Sequence, residues 1–274
     1  MNIIQLGGLG NQMFIYALYY SMKCQGCNVK IDASAYNLVR MHNGYEIPKV
    51  FGLEEPEVKR SGFYLQWLRL LLHFKPKCLV NDEPFDRRLD IFKQNKPYIT
   101  GYWQSDLYFN KFREDLLKVY TFKNISERNL RLSEEMQEKS SVSLHIRRGD
   151  YLNIPGALIC TDEYYQKAIE IIRLKVSNPH FYIFSNDIVW SKSFAEELGI
   201  EYTIIEHNVG VDSYQDMYLM TQCKHNILAN SSFSWWGAYL NQHSNAIRIA
   251  PYNWCNGHSA ETLKTDTPND WIRI

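Results

Sequence analysis

The stretch "HFYIFSNDIVWSKSFAEELGIEYTIIE", residues 180–206, contains two apolar runs separated by an amphipathic segment. The runs 180–185 and 201–206 are short and rich in β-branched and aromatic residues, which predicts buried strands. Residues 190–198 have helical periodicity, and Gly199 marks the end of that pattern. Strand, helix and strand in this order predict a βαβ unit of a parallel sheet.

The same alternation continues through the rest of the C-terminal half. Further strands are predicted at 142–147, 225–230 and 246–251, and further helices at 162–176, 212–223 and 232–241. Thr161 is the predicted N-cap of the first of these helices. Strict alternation of strands and helices predicts a doubly wound parallel sheet.

The N-terminal half begins with a second βαβ pattern. A strand at 2–6 precedes the loop "GGLGNQ", a helix at 12–25 and the strand-like run "NVKIDAS". Residues 105–120 have the spacing of an amphipathic helix that begins at Ser105, with Leu107, Phe109, Phe112 and Leu116 on its apolar face. The polar segment 123–140 is the predicted junction, which gives domains 1–135 and 136–274.

The composition describes a globular protein with no overall charge. Of the 274 residues 45% are hydrophobic, and thirty basic residues balance thirty acidic ones. No global field attracts nucleic acid, so an anion site has to be built locally. The opening "MNIIQL" lacks the pattern of a leader peptide. The sequence therefore predicts a soluble, cytoplasmic protein and is compatible with peripheral contact at the inner face of a membrane.

The ends of the predicted strands carry most of the candidate functional residues, where ligands bind in open α/β sheets. The stretch "SLHIRRGDY" places His145, Arg147, Arg148 and Asp150 at the end of one strand. Two guanidinium groups can form forked hydrogen bonds with phosphate oxygens. The alternative is an internal ion pair between an arginine and Asp150 or a nearby glutamate. The pattern HxRRxD at a strand end favours the anion site.

Three other strand ends are polar. Glu206, His207 and Asn208 lie at the end of the strand at 201–206. Ser185, Asn186 and Asp187 follow the strand at 180–185. Asn230, Ser231 and Ser232 lead into the predicted helix at 232–241, where free backbone N–H groups and the helix dipole favour an anion. The alternative for these serines is an ordinary N-cap, and the aromatic residues after them are predicted to be core.

The glycine loop of the N-terminal half allows two interpretations. Gly8, Gly10 and Asp32 resemble a dinucleotide fingerprint, although its third glycine is missing. This pattern supports an NAD-dependent oxidoreductase as an alternative function. The loop equally allows close approach by another ligand, with Asn11 and Gln12 as hydrogen-bonding groups.

The sequence lacks the motifs of several enzyme classes. The chain contains no Asp-x-Asp and no His/Asp/Glu cluster with metal-ligand spacing, so a catalytic divalent metal is not predicted. The nucleophile elbow of α/β-hydrolases and the P-loop are also absent.

Five stretches between residues 3 and 241 together resemble the α-1,2-fucosyltransferases of glycosyltransferase family 11. They are "GGLGNQMFIYAL", "GYWQSDLYF", "SLHIRRGDY", "FSND" and "NSSFSWWGAYLN". The resemblance implies a GT-B architecture, with two Rossmann-like domains facing each other across a cleft. It also implies GDP-β-L-fucose as donor, no metal or cofactor, and inversion to an α-1,2-fucoside. The implied acceptor is a terminal β-galactoside of an oligosaccharide or lipid-linked glycan.

The resemblance assigns roles to particular residues. The implied catalytic residues are Arg147, Arg148, Asp150 and Asn11. The implied donor-binding residues are His145, Arg147, Arg148, Ser185, Asn186, Asp187, Asn230, Ser231, Ser232, Gly8, Gly10 and Gln12. Asp150 is the first candidate for the base, ahead of Asp162 and Glu163, and a mechanism without a strong base stays open. A non-catalytic nucleotide-sugar or glycan-binding protein is the remaining alternative.

Overall fold

The computed structural model describes residues 1–38, 41–56, 58–81, 89–149, 159–254 and 267–274. The chain forms two compact units, Met1–Lys123 and Asn124–Ile274. The boundary predicted from the sequence lies between residues 135 and 136. Helix α5 (Glu127–Glu138) falls in the second unit, where it packs against the strand that follows it.

The first unit is built on a four-stranded parallel sheet. Its strands are β1 (Asn2–Ile4), β2 (Lys30–Asp32), β3 (Leu79–Asn81) and β4 (Tyr98–Thr100), in the order β2-β1-β4-β3. Its helices are α1 (Leu9–Cys24), α2 (Ile47–Phe51), α3 (Gly62–Phe74) and α4 (Arg113–Val119). The predicted β1-α1-β2 unit is confirmed.

The predicted single helix over 105–120 is wrong. Two short 3₁₀ turns, Asp106–Tyr108 and Asn110–Phe112, precede α4. Ser105 does cap the first turn, because its hydroxyl accepts a hydrogen bond from the Leu107 N–H at 3.4 Å. Between the turns Phe109 has φ −146° and ψ 3°, outside the helical region. The turns bury both Tyr108 and Phe109, so the apolar spacing reflects burial without a continuous helix.

The second unit has a six-stranded sheet in which every pair of neighbours is parallel. Its strands are β5 (Ser140–Ile146), β6 (Pro179–Ser185), β7 (Glu201–Ile205), β8 (His225–Ile227), β9 (Arg248–Ala250) and β10 (Ile272–Arg273). They lie in the order β10-β9-β8-β5-β6-β7, and the helices α6 (Asp162–Lys175), α7 (Ile188–Glu197), α8 (Tyr214–Gln222) and α9 (Ser232–Tyr239) connect them. The predicted doubly wound parallel sheet is confirmed.

The core of the second unit covers both faces of the sheet. Leu144 and Ile146 of β5 pack with α6 on one face, whereas Tyr182 and Phe184 of β6 pack with α8 on the other. Such two-sided burial is typical of central parallel strands. No helix in the described ranges has the length and apolarity needed to cross a membrane.

A close contact between α8 and α9 gives a stability prediction. A Cβ at Gly237 would lie 2.8 Å from the Met220 Cβ, and both residues are buried. Gly237→Ala is therefore expected to cost about 1–3 kcal/mol through overpacking. This cost exceeds the helix preference of alanine, and thermal denaturation should show a lower Tm. Gly62→Ala is the control, since a Cβ there meets nothing within 4 Å. Equal Tm values for Gly237→Ala and the wild-type protein would contradict the prediction.

Candidate functional site

The order of strands in the second unit locates a candidate site. The chain passes from β5 to β6 and β7 on one side, then returns to β8 on the other side of β5. Leu144 of β5 is paired with Ile227 of β8, so the carboxyl ends of these two strands are neighbours. Ligands of doubly wound sheets bind at such a switch point.

His145 joins the arginine motif to the serine motif. Its ring lies 6.3 Å from the ring of Phe233, in the first turn of α9. Burial, together with the charge of Arg147, lowers the pKa of His145 to about 3, so the imidazole is neutral at physiological pH. Its buried Nδ1 has no hydrogen-bond partner among the described residues. His145 therefore offers a hydrogen bond and no charge to a ligand.

Arg148 is held in place by three side chains. Its Nη1 lies 3.4 Å from the Asp162 carboxylate, and its Nε lies 4.0 Å from the Asp187 carboxylate. Its guanidinium group also stacks over Trp190, 4.1 Å from the ring centroid. Arg148 thus has internal ion pairs, and their partners Asp162 and Asp187 were not predicted. Asp150, the predicted partner and the first candidate base, lies outside the described residues.

Asp162 and Glu163, the other two candidates for the base, lie in different environments. Asp162 is the ion-pair partner of Arg148 and is exposed. Glu163 is also exposed, and a hydrogen bond from Thr161 holds the pKa of its carboxyl below the usual range. A lowered pKa makes Glu163 a weaker base at neutral pH. Neither environment favours proton abstraction.

The turn after β6 contacts the arginine motif. The Arg148 backbone N–H donates to Asn186 Oδ1 at 3.0 Å. Gly149 lies so close that a Cβ there would be 3.0 Å from the Asn186 carbonyl oxygen. The predicted residues Arg148 and Asn186 therefore form one continuous surface at the strand ends, and Gly149 allows their approach.

The side chains of Ser185 and Asp187 form hydrogen bonds within the turn after β6 and at the start of α7. Ser185 Oγ accepts hydrogen bonds from the Asp187 N–H at 2.9 Å and from Ser191 Oγ at 2.8 Å. Asp187 caps α7, because its Oδ1 accepts from the Trp190 N–H at 3.2 Å. These two residues shape the site, and Asp187 also contributes a carboxylate next to Arg148.

The serine motif forms the start of α9. Ser231 is the N-cap, and its Oγ accepts from the Phe233 N–H at 3.3 Å. Asn230 and Ser232 are half-buried beside it. Trp235, one turn further along α9, is fully buried, as predicted for the aromatic residues. The N-terminal end of α9 thus lies at the same strand ends as the arginine motif.

A polar cluster lies near the end of β7, where the sequence predicts the polar strand end formed by Glu206, His207 and Asn208. Its other members, Asn129, Gln215 and Asp216, were not predicted. Asn208 Nδ2 donates to Asp216 Oδ1 at 2.7 Å, and Asn129 Nδ2 donates to Asn208 Oδ1 at 2.8 Å and to Gln215 Oε1 at 2.7 Å. His207 Nε2 lies 2.7 Å from Asn129 Oδ1. Burial raises the pKa of Asp216 to about 7. A carboxyl group perturbed in this way at a ligand-binding edge is typical of a functional site.

The glycine loop of the first unit is fixed by close contacts. Gly7 has φ +77°, a left-handed conformation that favours glycine. A Cβ at Gly8, the N-cap of α1, would lie 3.1 Å from the His42 ring. Gly10 is buried in the first turn of α1. Asn11, one residue further, accepts a hydrogen bond from Gln104 Nε2 at 2.7 Å.

The buried side chain of Gln12 stabilises the glycine loop through hydrogen bonds. It is fully buried, and its Nε2 donates to the carbonyl oxygens of Gly7 at 3.0 Å and Gly44 at 2.7 Å. Its Oε1 accepts from the Glu46 N–H at 2.8 Å. The side chain therefore connects the glycine loop to residues 44–46.

Asp32, the acidic residue of the dinucleotide fingerprint, forms hydrogen bonds within the first unit. Its carboxylate accepts hydrogen bonds from the Ser34 N–H at 2.9 Å and from the Tyr64 hydroxyl. The residue is buried. These contacts give Asp32 a structural role and weaken the oxidoreductase interpretation.

Two grooves are lined by residues outside the arginine and serine motifs. One of about 650 Å³ in the first unit is lined by residues that include Tyr16, Tyr19, Tyr45 and Lys23. The other, of about 530 Å³ in the second unit, lies between α5 and β7. The tyrosine rings beside polar groups in the first groove suit ligands that have both apolar and hydroxyl-bearing faces.

Comparisons with known proteins agree on a family. The model of "Glycosyl transferase family 11" matches residues 81–274. An alpha-1,2-colitosyltransferase of Escherichia coli is 31% identical, over 98% of this chain and 96% of that protein. Galactoside alpha-(1,2)-fucosyltransferase 2 of Rattus norvegicus is 25% identical, over 99% of this chain and 76% of that protein.

The fold has a solved counterpart. The crystal structure of fucosyltransferase NodZ from Bradyrhizobium matches with a TM-score of 0.53 at 16% identity. The match covers 86% of this chain and 91% of that one. It confirms an α/β fold of the GT-B type.

Proposed function

This chain belongs to glycosyl transferase family 11, and we propose that it transfers L-fucose from GDP-β-L-fucose to the 2-hydroxyl of a terminal β-galactoside. The names of its relatives support parts of this choice: the galactoside alpha-(1,2)-fucosyltransferase names the sugar and the acceptor class, whereas the alpha-1,2-colitosyltransferase supports only the linkage. Both names specify the same 1,2 linkage. The acceptor is an oligosaccharide or lipid-linked glycan.

The observation that carries the proposal is the group of polar side chains at the switch point. The buried Nδ1 of His145 has no partner among the described residues, and Arg147 lies close enough to lower the pKa of this histidine. Native proteins rarely leave a buried polar atom unsatisfied, so a ligand atom at this place would complete the site. Two arginines and the start of α9 favour an anionic ligand, which fits a nucleoside diphosphate.

The same groups can stabilise the departing diphosphate. When the bond between C1 of fucose and the β-phosphate oxygen breaks, negative charge grows on that phosphate. Arg147, Arg148 and the N–H groups at the start of α9 would stabilise the charge electrostatically. Arg148 is already oriented by Asp162 and Asp187, so little reorganisation is needed. This arrangement supports transfer without a divalent metal.

The acceptor hydroxyl attacks C1 from the opposite face, which inverts its configuration to the α-fucoside. We assign the glycine loop, with Gly8, Gly10 and Asn11, to contacts with the substrates. Asn11 is held by Gln104 and can orient a hydroxyl group there. Asp150 is the proposed base that takes the hydroxyl proton. The tyrosine-lined groove of the first unit is a candidate for further acceptor sugars.

A nucleotide-sugar panel tests the donor and the reaction together. GDP-fucose, GDP-colitose and GDP-mannose are each incubated with lactose or buffer, with and without EDTA, and GDP release is measured. We expect release with GDP-fucose and lactose, unchanged by EDTA. Faster release with GDP-colitose would replace the proposed donor. Binding of GDP-fucose without release for any of a set of β-galactosides would indicate a binding protein. Thermal protection by NAD but not by GDP would favour the oxidoreductase.

A further inference from the structure

Helix α3 has apolar residues on its buried face and also on an exposed side. Leu68 and Leu71 are buried in the core of the first unit, next to Ile4 of β1. Phe63, Leu70 and Phe74 are 83%, 55% and 70% exposed. Positions 63, 70 and 74 share one side of an α-helix, because seven and four residues are close to whole turns. These three residues form an outward apolar stripe.

The ends of the helix are strongly basic. From Lys59 to Lys77 the sequence contains five lysine and arginine residues and no aspartate or glutamate. This is unlike the chain as a whole, in which thirty basic residues balance thirty acidic ones. Arg60 and Arg69 are exposed, as is Lys77. Positive charge therefore flanks both ends of the stripe.

We propose that α3 docks the first unit on an anionic membrane surface. Phe63, Leu70 and Phe74 would insert at the boundary between headgroups and acyl chains, with the helix lying in the plane of the interface. Amphipathic helices with Phe or Leu on one side and Lys or Arg around it bind membranes in this way. The cations would meet lipid phosphates, because anionic leaflets attract basic segments.

Charge complementarity favours a membrane over a protein partner. Protein interfaces usually surround an apolar centre with a polar rim. Around the α3 stripe the charged residues from 59 to 77 are all of one sign. Such a surface suits an extended negative partner. The proposal concerns attachment and does not depend on which sugar the enzyme transfers.

Vesicle sedimentation tests the proposal with the full chain. The wild-type protein is expected to sediment with vesicles of phosphatidylglycerol and phosphatidylcholine, and far less with phosphatidylcholine alone. The double variant Phe63→Ser/Phe74→Ser should bind at least about tenfold more weakly, since its main inserted groups are gone. Arg60→Gln/Lys77→Gln should bind about 30-fold more weakly. High salt should weaken binding of the wild-type protein.

Matched controls make the outcomes clear. Leu174 of α6 is 80% exposed, so Leu174→Ser removes an exposed apolar residue elsewhere and should leave vesicle binding unchanged. Tm and GDP release with a soluble acceptor should be the same for Phe63→Ser/Phe74→Ser and the wild-type protein. Equal sedimentation of these two proteins would overturn the proposal. So would wild-type protein that stays in the supernatant, or a dimer that the double variant dissociates, which would identify a second copy as the partner of α3.

Discussion

Replacing Arg147 with alanine is expected to lower kcat by about 100- to 1000-fold. Arg147 directly follows β5 at the switch point and acts electrostatically on the buried His145. In the proposed reaction its charge matters most when the diphosphate departs, so the loss appears mainly in kcat. Initial rates of GDP release, at saturating GDP-fucose and acceptor, measure the effect.

Two further variants show whether charge or geometry matters at Arg147. Arg147→Lys keeps the charge but loses the planar fork, so its kcat should be intermediate. Arg148→Ala should also lose turnover, and it additionally removes the contacts with Asp162 and Trp190. Its Tm should therefore fall. If Arg147→Ala folds and retains a kcat within threefold of the wild-type value, the proposed donor site is wrong.

Replacing Asp216 with asparagine is expected to stabilise the protein above pH 7 by up to about 4 kcal/mol. Burial raises the pKa of Asp216 from its ordinary 3.8 to about 7 in the folded state. The folded state therefore holds the proton that the unfolded state releases between these values. The contribution of Asp216 to the free energy of unfolding therefore falls as the pH rises from about 4 to 7 and is constant above. Asparagine removes this dependence and can still accept the hydrogen bond from Asn208.

Urea denaturation at pH 5 and pH 8 measures this difference. The advantage in stability of Asp216→Asn over the wild-type protein should be about 3 kcal/mol larger at pH 8 than at pH 5. Comparing the two proteins at each pH cancels the contribution of His145, whose lowered pKa makes both more stable as the pH rises. Glu170→Gln, at an exposed position on α6, should keep the wild-type dependence. An unchanged pH dependence in Asp216→Asn would show that Asp216 is ionised at no cost in the folded protein.

The elements predicted with most success are those with the clearest hydrophobic patterns. The strands β5 and β6 and the helices α6 and α9 lie close to their predicted limits, because each combines buried residues with a recognisable cap or turn. Helix α1 begins at Leu9 rather than at residue 12, since the glycines of its first turn conceal the start of the pattern. Strand β10 was missed because it has only two residues and depends on pairing with β9.

The residues of the candidate site were also predicted only in part, and the local sequence pattern decides which. The arginine and serine motifs were predicted because their members are neighbours in the sequence. The contacts of Arg148 with Asp162 and Asp187 join residues that are far apart in the sequence, and no local pattern specifies such partners. Asn129 was missed because it lies in a segment that the sequence presents as a polar junction. Its burial depends on α5 packing against the second unit.

The division of the chain into two compact units has a consequence for its evolution. The arginine motif, the serine motif and the cluster around Asp216 all belong to residues 124–274, whereas the glycine loop and α3 belong to residues 1–123. The family model covers the whole second unit but only residues 81–123 of the first. Selection can therefore diversify the first unit while the second unit stays constant. Under the proposed function, a homologue could change its acceptor or its surface attachment through substitutions in the first unit while the arginine and serine motifs of the second unit stay the same.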